Sequence, residues 1–128
     1  MSEVRRGTMT PTKDKAEVLI QLESMATRIG TQYGDDLVAA LRERSAMFGR
    51  LVTLGRAIDN WYQQKAAELL DENPSLSEWR FKIKMGVTVE GGLNRFRDQL
   101  SKTLELQCKN IQSEMTEIQS ERKFTANA

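Results

Sequence analysis

The chain has 128 residues, enough for one domain to bury a core without disulfide or metal staples. Hydrophobic residues make up 39% and charged residues 29%, a balance that excludes a disordered or membrane-embedded chain. The 19 Lys and Arg stand against 18 Asp and Glu, so the net charge of +1 gives no field that gathers nucleic acid or an anionic membrane from a distance.

Residues 1–9 are polar and without periodicity, which predicts a disordered N-terminal segment followed by a single helical domain over 10–128. The opening Met-Ser-Glu-Val-Arg-Arg-Gly has no apolar region behind its arginines, and the one cysteine has no partner for a disulfide. Both features predict a cytoplasmic protein. Thr10 before Pro11 is a capping residue ahead of proline at a first helical position. Val18, Leu19, Leu22, Met25, Ala26 and Ile29 then recur at three- and four-residue steps until Gly30 ends the helix.

Gly34 and Asp35-Asp36 open a second helix, where acids near the start accept from free backbone amides and complement the helix dipole. Catalytic carboxylates converge across a pocket, so this adjacent pair reads as a cap. From there Leu37, Leu41, Arg44, Phe48, Leu51, Gly55, Ile58, Tyr62, Lys65 and Leu69 alternate in steps of four and three, a coiled-coil seam. Ala40, Met47, Leu54 and Trp61 form a second line beside it, so this helix of about 33 residues, roughly 50 Å long, touches two neighbours. Arg44 and Lys65 interrupt the seam. Long cations at such positions snorkel to water, or else fix register or read a partner.

Asp71-Glu72-Asn73-Pro74 stops the helix and marks the main reversal of the chain. Ser75 and Glu78 have capping-box spacing, which predicts a third helix from near Leu76 with Trp79, Ile83 and Val87 as its apolar stripe. Arg80, Lys82 and Lys84 fall on its other faces. Across Gly86–Gly92 the β-forming Val87-Thr88-Val89 competes with four-and-three spacing from Trp79 to Leu93. A lone strand has no partner in this sequence, so the reading is helix with a hinge at Gly91-Gly92.

The last helix carries Leu93, Phe96, Leu100, Leu104, Cys108, Ile111, Met115 and Ile118 along one side and runs to about Lys123. Cys108 lies in the apolar line and reads as a small core residue. The second and last helices match in length and should pair antiparallel. The expected fold is all-α: an elongated antiparallel helical hairpin or bundle of three to four amphipathic helices.

The chain has no histidine, which removes Ser-His and Cys-His pairs and the commonest transition-metal ligand. Its acids are scattered over helix surfaces and ends. No enzymatic activity, metal or cofactor is therefore expected, and a protein partner is.

A long helix reading Leu-Arg-Glu-Arg-Ser-Ala-Met-Phe-Gly-Arg-Leu-Val-Thr-Leu, a proline-marked turn and a helix ending Ile-Gln-Ser-Glu-Met-Thr-Glu-Ile-Gln-Ser-Glu-Arg-Lys-Phe together resemble the flagellar type III export chaperones of the FlgN/FliT class. The resemblance spans roughly residues 35–126. It lies nearer the FliT branch, because the Asn-x-x-Leu-Leu element of the FlgN branch is absent after Gly92. It implies a small cytoplasmic helical hairpin that holds the C-terminal helical segment of a hook-filament junction or filament-cap protein until export. Carried over by position, the partner would dock on Leu100, Leu104, Ile111, Met115 and Ile118. Independently of the resemblance, a partner helix lying in an apolar groove would find adaptable contacts in Met47, Met85 and Met115. Two alternatives stay open. One is a structural subunit that oligomerises through its seams; the other is a nucleic-acid-associated subunit using Arg42, Arg44, Arg50, Arg56, Arg80, Lys82, Lys84, Arg95 and Arg97.

Overall fold

The computed structural model describes residues 14–127, with side chains through Phe124. The expected disordered segment 1–9 and the Thr10-Pro11 helix start lie outside the described residues. Helix α1 (Lys15–Gly30) starts from Asp14, whose carboxylate accepts from the amide of Glu17 at 2.7 Å. Val18, Leu22, Met25 and Ile29 bury its inner stripe, while Leu19 is 39% exposed.

Helix α2 (Leu37–Glu72) has 36 residues, about 54 Å at ~1.5 Å per residue. Asp36 caps it through the Ala39 amide, as the acidic pair predicts. At its far end the Asn73 amide donates to Leu69 and the chain reverses at Pro74. Helix α3 (Glu78–Gly86) is shorter than expected: Ser77, not Ser75, caps it by accepting from the Arg80 amide at 3.3 Å.

The orientation of α3 also corrects the sequence reading. Trp79, Ile83 and Val87, expected to face the bundle, are 70%, 50% and 85% exposed, and Met85 is the buried residue. Periodicity establishes that a face is apolar, not which way it turns, and α3 has a second apolar pair, Phe81 and Met85, at the same spacing. The junction with α4 decides between them. Thr88 Oγ1 donates to the Met85 carbonyl at 2.6 Å and accepts from the Gly91 amide at 2.9 Å, so Thr88 caps α4 (Val89–Asn127). The break therefore falls at Val87-Thr88, and Gly91-Gly92 lies within the first turn of α4. Gly91 sits so close to α3 that a Cβ there would stand 1.9 Å from the Met85 carbonyl oxygen.

Helices α2 and α4 lie antiparallel. Arg44 meets Gln107, whereas Gly55 and Asp59 meet Arg97, so α4 numbers fall as α2 numbers rise. Leu51, Leu54 and Ile58 of α2 face Leu93, Leu100 and Leu104 of α4 in one core, and α1 lies over the groove between the two long helices. The molecule is an all-α bundle, and no described helix is long and apolar enough to cross a membrane.

Candidate functional site

Of the five residues proposed to dock a partner, the structure buries three. Leu104 and Ile111 are fully buried and Leu100 is 6% exposed, so none of these meets a partner unless the bundle opens. Met115 is half-buried and Ile118 is 40% exposed. Met47 and Met85 are likewise core, which leaves Met115 the accessible member of the three methionines.

Apolar side chains that do reach solvent lie elsewhere on the hairpin. α1 covers one flank, the side of Met47 and Leu54. At ~100° per residue, Leu41, Phe48 and Val52 fall on the opposite flank of the α2 seam. Leu41 is half-buried, while Phe48 is 39% and Val52 50% exposed. On α4 the residues turned to this flank are Ser101, Cys108 and Met115, spaced by heptads and all half-buried. Phe48 and Leu41 were legible as seam residues. Their exposure follows from a tertiary fact, the lack of a described helix on that side.

Polar ties close the other flank. Arg44, expected to snorkel to water, is instead 1% exposed. Its guanidinium donates to Gln107 Oε1 at 3.1 Å, to Glu43 at 2.8 Å and to the Thr31 carbonyl at 3.1 Å, with its centre 5.4 Å from the Tyr33 ring. Gln107 donates in turn to the Ile29 carbonyl at 3.0 Å. The two side chains thus satisfy carbonyls at the C-terminal end of α1 that have no helical amide to accept from. Arg28 and Glu43 add an ion pair across α1 and α2 whose hydrogen bond holds the Glu43 carboxyl below its usual range against a smaller opposing effect of burial.

The start of α1 is tied as well. Lys15 pairs with Glu90 of α4 and stands 5.8 Å from the centre of the Trp61 ring of α2. Burial pushes the Glu90 carboxyl up, but the Lys15 hydrogen bond, its own backbone amide and the Lys15 and Lys65 charges outweigh it, so it titrates below the usual range. Lys65 itself stays at the rim beside Glu68, as a snorkelling side chain should. On the flank of Phe48 and Val52, one heptad further along α2, Arg97 runs over Gly55, whose missing Cβ leaves room for it, and bridges the two long helices by reaching Asp59 at 2.8 Å. Burial pulls its pKa down, and the Asp59 and Asp98 partners raise it further than that.

Of the remaining arginines of α2, Arg42 and Arg56 stand two heptads apart on one exposed side of the helix, with Arg50 about 80° round from Arg42 at ~100° per residue. Among the described residues no cluster of three or more His, Cys, Asp or Glu could hold a metal ion. Compared with protein-family models, curated proteins and solved structures, the chain matches none of them.

Proposed function

We propose that the protein is a helix-binding chaperone of the export type, which holds an amphipathic helical segment of a partner protein along the open flank of the α2–α4 hairpin. The observation that carries this reading is the way α1 occupies the opposite flank. It docks through Val18, Leu22, Met25 and Ile29, the i, i+4, i+7, i+11 anchors of a helix in a groove. The open flank offers Leu41, Phe48, Val52 and Met115 to a second helix of the same kind, and Met115 adapts to varied side chains. In the finer form that the FlgN/FliT resemblance suggests, the partner is the C-terminal helix of a flagellar axial protein, held in the cytoplasm before secretion.

Isothermal titration of the full chain with C-terminal peptides of flagellar axial proteins tests the proposal. Binding should weaken at least tenfold in Phe48→Asp and Val52→Asp while melting stays within a few degrees of the parent. Absence of binding to every such peptide removes the export reading. The same flank supports a second reading, self-association, because Leu41, Phe48 and Val52 keep the seven- and four-residue steps of a coiled-coil edge. Sedimentation equilibrium separates the two: a stable dimer that Phe48→Asp dissociates favours the structural subunit.

A further inference from the structure

Helix α3 closes one end of the bundle and shows solvent its more apolar side. Trp79 is 70% exposed, Ile83 50% and Val87 85%, and Val89 at the start of α4 adds another exposed side chain at 63%. At helical spacing Arg80 and Lys84 fall on one side of this stripe and Lys82 on the other. Arg95 adds a cation at the end of α3, where it donates to the Gly86 carbonyl at 2.9 Å. Between Pro74 and Phe96 there are thus four Lys and Arg against two acids, Glu78 and Glu90; Glu90 is already engaged by Lys15, and Glu78 stands 3.7 Å from Lys82. The near-neutral net charge conceals a local excess of positive charge on α3 and the start of α4, across the Pro74 turn from Asp71 and Glu72.

We infer that the α3 tip docks on anionic membrane surfaces, with Trp79, Ile83 and Val87 entering the headgroup boundary and Arg80, Lys82, Lys84 and Arg95 meeting lipid phosphates and carboxylates. Charge complementarity selects an anionic occupant, and a second copy of the chain is disfavoured because it would set the same cations against one another. The shape selects the bilayer. The stripe is the outward ridge of a helix, whereas a captured helix needs a groove, and a lipid interface deforms around such a ridge. Tryptophan favours this boundary because its indole pairs an apolar body with one donor, and flanking Lys and Arg extend toward the headgroups. The tip is separate from the flank of Phe48 and Val52, so the inference does not depend on what fills that flank.

The test is cosedimentation of the full chain with phosphatidylcholine vesicles, with and without phosphatidylserine. It is read beside the fluorescence of a Trp61→Phe variant in which Trp79 is the one remaining tryptophan. The expected result is pelleting only with phosphatidylserine, a blue shift of Trp79 emission, and reversal by added salt. Ile83→Asp, and separately Arg80→Glu combined with Lys84→Glu, should each lower vesicle affinity at least tenfold. These side chains are exposed, so melting should not change; if Ile83→Asp does melt early, the charge-reversed variant decides. No pelleting with phosphatidylserine vesicles overturns the inference, as does pelleting that neither variant reduces. Binding to an acidic helical peptide without binding to vesicles also overturns it, in favour of a protein groove.

Discussion

Arg44 ties α2 both to the Thr31 carbonyl just beyond α1 and to Gln107 of α4. Removing its guanidinium leaves the Thr31 carbonyl and the Gln107 Oε1 without their donor inside the bundle. Arg44→Ala should therefore lower unfolding free energy by about 2–4 kcal/mol in urea titrations, and Arg44→Lys should recover little, because an ammonium lacks the planar fork. Glu90 gives a pH-dependent counterpart. Its folded pKa lies below the ordinary 4.5, so its contribution is present above that value and is lost as pH falls through the depressed folded pKa. Stability should accordingly drop on acidification below about pH 4.5, and Glu90→Gln should flatten that part of the profile in melts across the acid range. The place of Arg44 in the seam was readable from four-and-three spacing. Its inward turn was not, because its partners Thr31 and Gln107 come from a loop and from another helix.

At the scale of elements, the α3–α4 junction depends on one missing methyl group. A Cβ at Gly91 meets the Met85 backbone oxygen, whereas one at Gly92 meets nothing within 4 Å. Gly91→Ala should cost about 3 kcal/mol by forcing the two helices apart, while Gly92→Ala should gain up to ~1 kcal/mol from helix propensity. Thermal melts of the pair check both signs. Along α4, Leu104→Ala and Ile111→Ala should each cost about 2–5 kcal/mol, since both side chains are fully buried, and Ile118→Ala should cost under ~1 kcal/mol. Pro74 and the Asp36 cap were legible because their chemistry is local. The facing of α3 was not, because its two apolar pairs carry the same spacing and only the Thr88 cap and the close approach at Gly91 choose between them.

For the molecule as a whole, the long seams of α2 and α4 made the all-α fold and the antiparallel pairing readable from spacing alone. The division of the α4 stripe into core and accessible positions was not readable, since it depends on which flank α1 covers. That arrangement has a consequence for motion. α1 is fastened at its start by Lys15 and Glu90 and at its end by Arg44 and Gln107, with four buried apolar side chains between. A segment held only at its ends and along one stripe opens as a unit, at a lower free energy than the hairpin beneath it. Its backbone amides should therefore exchange with deuterium together, ahead of those around Leu51 and Leu104. Loss of Arg44 should accelerate the α1 amides most, a local release that mass spectrometry of peptic fragments resolves from global unfolding.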